Sequence, residues 1–338
     1  MVFPPEINLQ AKGRQQVVVR HGLANGLTAD LTREAVYASS DPAVAVVEQG
    51  VVRAQGEGLA KLRVEAAGQV VNVDVFVGAK PGNHRLRSFT GDVLPVLGRA
   101  GCAGGSCHAK PKGQNGFSLS VFSFDPAADF REVVKDERGR RVFPAFPAES
   151  LLLKKPTLAV EHEGGRRLEV GSPFYQIIHD WISQGMPYRL PGEPALKGIS
   201  VFPGEQRYAK SAEQQLVVTA RFDDASTQDV THLADFSSSD KEIAGVDHDG
   251  LVRVGTLSGE GVVVVRYMGE VAQARITVPT DRRFNDAVYA GLPRNNFVDD
   301  LAYARFQKLG LLPSDLCSDP EFIRRAFIDT IGLLPEPA

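Results

Sequence analysis

The stretch Asp30-Leu-Thr-Arg-Glu-Ala-Val-Tyr-Ala-Ser-Ser-Asp41 returns later in the chain as Asp229-Val-Thr-His-Leu-Ala-Asp-Phe-Ser-Ser-Ser-Asp240. The copies run on alike. Gly50-Val-Val-Arg-Ala answers Gly250-Leu-Val-Arg-Val, and each copy then reaches a Gly-Glu-Gly. An internal repeat of this kind means one supersecondary plan used twice. In the first copy Ala60-Lys-Leu-Arg-Val64 is followed, after a turn, by Val71-Asn-Val-Asp-Val-Phe-Val77; in the second, Val262–Tyr267 is followed by Val271–Val278. Residues two apart on a strand share a face, so this alternation predicts half-buried strands. Short alternating runs separated by turns predict an all-β sandwich for each copy. Asp41 and Asp240 supply one acid per copy, too few for a calcium cage, and are expected to cap turns.

Three features carry a family likeness: the Asp-Leu/Val-Thr step; the Ser-Ser-Asp before Val44, Ala45 and Val46 or Ile243 and Ala244; and the Gly-Val-Val or Gly-Leu-Val strand start. With these, residues 5–79 and 196–280 resemble bacterial immunoglobulin-like domains of group 2. The resemblance implies spacer or adhesive modules, and neither copy shows a catalytic constellation.

Between the copies stands Cys102-Ala-Gly-Gly-Ser-Cys107-His108. Two thiols followed at once by a histidine have the form of a covalent haem c site, with four spacer residues where two are usual. The thiols would form thioethers to the porphyrin vinyl groups, and His108 would reach the iron from one face. Gly104 and Gly105 suit the bulge that a longer spacer requires. A disulfide, two unrelated thiols or a metal knuckle are the other readings; a zinc site wants four ligands, and only Cys317 is left over.

The surroundings of this motif are read as helical. Thr90–Arg99 predicts a short helix, with Pro95 tolerable only in its first turn. Ser172 is a good N-cap, Pro173 fits the first helical position, and Phe174, Ile177, Ile178, Trp181 and Ile182 follow helical spacing up to Gly185. Asn115–Phe124 predicts a strand or an extended loop.

Leu94-Pro-Val-Leu, the Cys102–His108 motif, Lys112-Gly-Gln-Asn-Gly-Phe117, Pro147-Ala-Glu-Ser-Leu-Leu-Leu153 and His162-Glu-Gly-Gly-Arg-Arg-Leu168 together resemble a planctomycete-type cytochrome c domain over residues 86–190. The resemblance implies one covalent haem c, electron transfer to unidentified redox partner proteins, and a location outside the cytoplasm. In relatives with a methionine as the second iron ligand, that ligand lies in a loop before the last helix. His162 holds this place, with Met186 as the alternative, His179 a weaker candidate and an open sixth position a further one. Two imidazoles would lower the potential relative to a His/Met pair. Residues 297–335 are similar to the opening of the uncharacterised helical domain that follows such cytochromes, which implies a piece of a longer protein. Ser318-Asp-Pro-Glu321 is a capping box there. The tail helices are expected to pack on a neighbouring domain or chain, and Cys317 is expected to serve packing.

The 338 residues carry a net charge of −3 and are 43% hydrophobic, ordinary for folded domains. Residues 85–189 hold a basic excess, 15 Lys and Arg against 11 Asp and Glu. No basic stretch is interleaved with aromatics, so no nucleic-acid partner is expected. No apolar run is long enough to span a membrane. Met1-Val-Phe-Pro-Pro-Glu lacks the basic start and apolar core of a signal peptide; because covalent haem attachment takes place outside the cytoplasm, the resemblance implies a periplasmic or extracellular protein whose signal peptide is not among these residues. The expected organisation is a sandwich over 1–80, a mainly α cytochrome c-like domain over 84–192, a second sandwich over 195–280, and an α-helical tail over 281–338. The function expected first is a non-enzymatic electron carrier. Its rivals are an adhesive or scaffold protein with a structural Cys pair, and a haem enzyme or sensor.

Overall fold

The computed structural model describes residues 1–78 and 86–336. The expected junction between residues 80 and 84 lies outside them. The alternating runs of the first copy form a four-stranded sheet, Glu6–Leu9, Gln69–Val77, Gly58–Ala66 and Val36–Ser39 in that order. Glu6–Leu9 pairs parallel to its neighbour and the other pairs are antiparallel. Two three-stranded sheets complete the sandwich: Val2–Phe3, Val18–Gly22 and Thr28–Asp30; and Arg14–Gln16, Val51–Ala54 and Ala45–Glu48. The second copy repeats the plan sheet for sheet, with Glu205–Arg207, Glu270–Val278, Gly259–Tyr267 and Asp235–Ser238 as its four-stranded layer.

Each sandwich has its own core. Ile7, Leu62, Val64, Val73 and Val75 fill the first; Leu216, Val252, Val263, Val265 and Ile276 fill the second. These are the inward members of the alternating runs. Gly58 and Gly259 are corresponding positions: a Cβ there would lie 2.9 Å from the Val44 side chain and 2.7 Å from that of Ile243. Gly56 and Gly255 correspond likewise, each pressed on a carbonyl, of Ala43 and Glu242. The two Gly-Glu-Gly triplets of the sequence are therefore out of register, because the second copy is two residues longer between these glycines. Asp41 and Asp240 cap turns as expected, accepting from Ala43 N and Glu242 N, each at 2.9 Å.

The mainly α cytochrome c-like domain expected between the copies is corrected. Six sheets in two sandwiches dominate the chain. The intervening residues form four α-helices of 6, 9, 4 and 11 residues, Leu94–Arg99, Pro126–Val134, Leu151–Lys154 and Pro173–Ser183, joined by turns and irregular chain. The physical cause is the density of helix breakers: six glycines and a proline lie between residues 98 and 116. The strand or extended loop expected over Asn115–Phe124 reduces to one Gln114–Phe117 bridge and a 3-10 turn at Val121–Ser123. The best-capped helix forms as read: Ser172 Oγ accepts from Tyr175 N at 3.3 Å, and Trp181 and Ile182 are fully buried. A third core gathers Phe89, Val93, Leu97, Leu153, Ile178 and Trp181. Met268 packs on both this core and that of the second sandwich.

Residues 279–336 form a separate compact unit of three helices, Asp286–Ala290, Phe297–Leu309 and Asp319–Ile331. Its predicted Ser318 capping box forms, with Glu321 Oε2 accepting from Ser318 N at 2.9 Å. Asn296 and Asp299 make a second one. No helix among the described residues is long and apolar enough to cross a membrane.

A Cβ on residue 255 would stand 1.8 Å from the Glu242 carbonyl oxygen, and that oxygen belongs to rigid backbone. Gly255→Ala is expected to destabilise the protein by at least about 2 kcal/mol, read from the urea midpoint. Gly68→Ala, with nothing near its Cβ but a φ of +71°, should cost about 1 kcal/mol.

Candidate functional site

Two places in the chain gather functional groups. The first is the Cys102–His108 loop. It is turn upon turn: Cys102 N donates to Leu97 O, Cys107 N to Gly104 O, and His108 N back to Cys102 O at 3.1 Å. Cys102 is half-buried against the central core, and burial, reinforced by Cys107, pushes its thiol up to about 11. Both cysteines are free. The structure brings His108 and His162 together. Their rings lie nearly parallel, 9° apart in plane with centroids 6.3 Å apart. Each Nδ1 faces a carbonyl, His108 that of Phe117 at 3.1 Å and His162 that of Gly165 at 2.9 Å. Carbonyl partners fix both Nδ1 atoms as donors. Burial, then His162 and the cations Arg141 and Lys155, lower the His108 pKa, so that imidazole is neutral. Gly164 lies against the His162 ring, where a Cβ would sit 2.8 Å from Cε1. Met186 packs on the central core, its N donating to Trp181 O at 3.0 Å, and His179 stacks on Tyr175 at 6.2 Å on the closing helix.

The second place is the contact between the two sandwiches, and here the Asp-x-Thr step acquires a role that the sequence reading missed. Asp229 Oδ1 accepts from Thr231 N and Thr231 Oγ1 at 2.8 and 2.5 Å. Its Oδ2 crosses to the other sandwich and accepts from Gln16 N at 2.5 Å. Asp30 does the same in reverse. Its Oδ1 accepts from Thr32 N at 2.7 Å and from the Thr32 hydroxyl, and its Oδ2 accepts from Gln215 N at 2.6 Å and Gln214 Nε2 at 3.0 Å. Residue i touching j while the equivalent of j touches the equivalent of i is the signature of a two-fold relation. Phe3 and Phe202, equivalent residues, stack across the same contact with centroids 4.0 Å apart. Burial pushes both carboxyls up, against the lowering effect of the Thr hydroxyls and the backbone N–H donors. The available signal was the recurrence of Gln15-Gln16 as Gln214-Gln215.

The comparisons follow the sandwiches. Residues 195–265 match the bacterial Ig-like domain (group 2). No curated protein matches the chain. Among solved structures, domains 5-6 of the S-layer protein SbsC are 10% identical, with 83% of this chain and 97% of that one covered and a TM-score of 0.31. SbsC domains 4 and 5 are 10% identical, over 72% of this chain and 75% of that one, with a TM-score of 0.22. InvD of Yersinia pseudotuberculosis is 8% identical, over 84% of this chain and 58% of that one, with a TM-score of 0.16.

The resemblance to a planctomycete-type cytochrome c, the covalent haem c and the electron-transfer role are corrected on two findings. The matching family is immunoglobulin-like and lies outside the motif. Among the described residues, no three His, Cys, Asp or Glu side chains gather as a site for a metal ion.

Asp229→Ala strands the Gln16 N–H in a buried contact. It should destabilise the protein by about 2–3 kcal/mol, whereas Asp41→Ala, at an exposed turn, should cost about 0.5 kcal/mol. Paired urea titrations of the two variants check this.

Proposed function

We propose that this chain is a non-enzymatic, extracytoplasmic scaffold or adhesive module of the immunoglobulin-like kind, in which two sandwiches act as one body. The observation that carries the reading is the reciprocal Asp30/Gln215 and Asp229/Gln16 contact. Tandem spacer domains joined only by a linker move independently, since interfaces between domains of one chain are by default small and mobile. Here a buried carboxylate, Asp229, and a half-buried one, Asp30, cross the contact in opposite directions, and a pair of aromatic rings stacks beside them. Breaking either partner of such a buried polar contact leaves a donor or a charge uncompensated, so the contact resists gradual opening. The match of residues 195–265 to a bacterial Ig-like domain supports the class, and the periplasm or the cell surface is the compartment that suits it.

Within this reading Cys102, Cys107, His108 and His162 hold the central segment together. The loop from Cys102 to His108 is closed by backbone hydrogen bonds, and the two parallel imidazole rings face the Phe117 and Gly165 carbonyls through their Nδ1 atoms. The Cys pair is structural, near a core that includes Trp181 and Leu97.

The test is spectroscopic. The full chain, secreted to the periplasm of cells equipped for haem c maturation, should purify without a Soret band. A Soret absorption that survives acid–acetone extraction and is lost in Cys102→Ala/Cys107→Ala would overturn the scaffold reading.

A further inference from the structure

The two-fold relation between the sandwiches is broken at the Arg33/His232 pair. Arg33 and His232 are equivalent, each the residue after the Asp-x-Thr step. Arg14 and Glu213 are equivalent, each opening the Arg14–Gln16 or Glu213–Gln215 strand, and Arg53 and Arg253 are equivalent on the strands paired to those. On one half of the contact Arg33 meets an acid, with Nη1 3.1 Å from Glu213 Oε2, and Arg253 pairs with the same carboxylate at 3.3 Å. On the other half the acid is replaced by Arg14. There His232 is under the influence of Arg14, Arg99 and Arg53, in falling order, and its Nδ1 is buried with no hydrogen-bond partner among the described residues.

The site also joins a third part of the molecule. Arg99, at the end of helix Leu94–Arg99 in the central segment, donates from Nε to the His232 carbonyl at 3.0 Å and reaches Asp249 at 3.4 Å. The remaining charged groups are Asp229, committed to Gln16 N and Thr231, and Asp235, whose carboxylate interacts with Arg266 and Arg99. Asp249 is exposed and shared with Arg14 and Arg99. Thus, among the described residues, no carboxylate takes the place relative to His232 that Glu213 takes relative to Arg33.

We propose that His232 is an acid-sensitive latch at the junction of both sandwiches and the central segment: neutral, its buried, unpartnered Nδ1 is tolerated; protonated, it adds a buried cation on the residue whose carbonyl Arg99 holds, and loosens the junction. Desolvation first, and then the three arginines, hold its pKa down to about 3, below the ordinary histidine value. The sign follows from linkage. The unfolded chain takes up a proton at His232 near pH 6.5 and the folded chain does not, so this residue's contribution to stability is full above pH 6.5 and is lost as pH falls below it. Asp30 and Asp229, with raised values, act in the opposite sense at lower pH. They are common to the wild type and a His232 variant, so they cancel in the comparison.

The experiment is urea unfolding of the full chain by circular dichroism at pH 7 and pH 5, for wild type and His232→Gln. Between these pH values the wild-type unfolding constant should rise about 20- to 30-fold more than that of the variant. Parallel profiles for the two proteins would overturn the proposal. Should His232→Gln fail to fold, the histidine proton resonances of the wild type decide: the His232 signal should remain that of a neutral ring at pH 5. Titration of that signal near pH 6.5 would equally overturn it.

Discussion

A carboxylate that leaves its own sandwich to accept a backbone N–H of the other is the contact on which the rest of this structure depends. Asp30 and Asp229 each spend one oxygen locally, on the Thr two residues on, and the other across the interface. The local half fixes the turn that ends the Thr28–Asp30 and Thr227–Asp229 strands. The same Thr hydroxyl then accepts from Val19 N or Val218 N, so the turn is locked to the strand that pairs with it. The crossing half converts two independent sandwiches into a pair with near two-fold symmetry. Because each oxygen has a donor, a buried charge is tolerated that would otherwise be prohibitive.

Much of the sandwich fold was legible. Alternation located the long strands, the repeat showed that one plan occurs twice, and the Asp41 and Asp240 turns formed as the residue types demanded. Two things were not. The short strands Arg14–Gln16 and Glu213–Gln215 carry no alternation and became visible only through their partners. The interface was hidden because the Asp-x-Thr step reads, within either copy, as an ordinary turn; only the spatial relation of the copies shows where its second oxygen goes. Likewise the Gly-Glu-Gly triplets looked equivalent, but the packing of Gly58 on Val44 and of Gly259 on Ile243 sets a different correspondence.

The central segment teaches the opposite lesson. Its local signals were sound: Ser172 caps the closing helix, and His108 and His162 do meet, with rings 9° from parallel. What failed was the step from those signals to a mainly α domain. Helix breakers between residues 98 and 116 leave turns rather than helix, and the segment leans on its neighbour for order. Met268 of the second sandwich enters its core, Arg266 lies 4.5 Å over the Phe122 ring, and Gly269 N donates to Phe122 O at 2.9 Å.

The claim that the two sandwiches behave as one body is tested most directly by hydrogen exchange across a urea series on the full chain, with protection followed by mass spectrometry. Peptides from Gly58–Ala66 and Gln69–Val77 should lose protection at the same urea concentration as those from Gly259–Tyr267 and Glu270–Val278. Separate midpoints for the two sandwiches would contradict it.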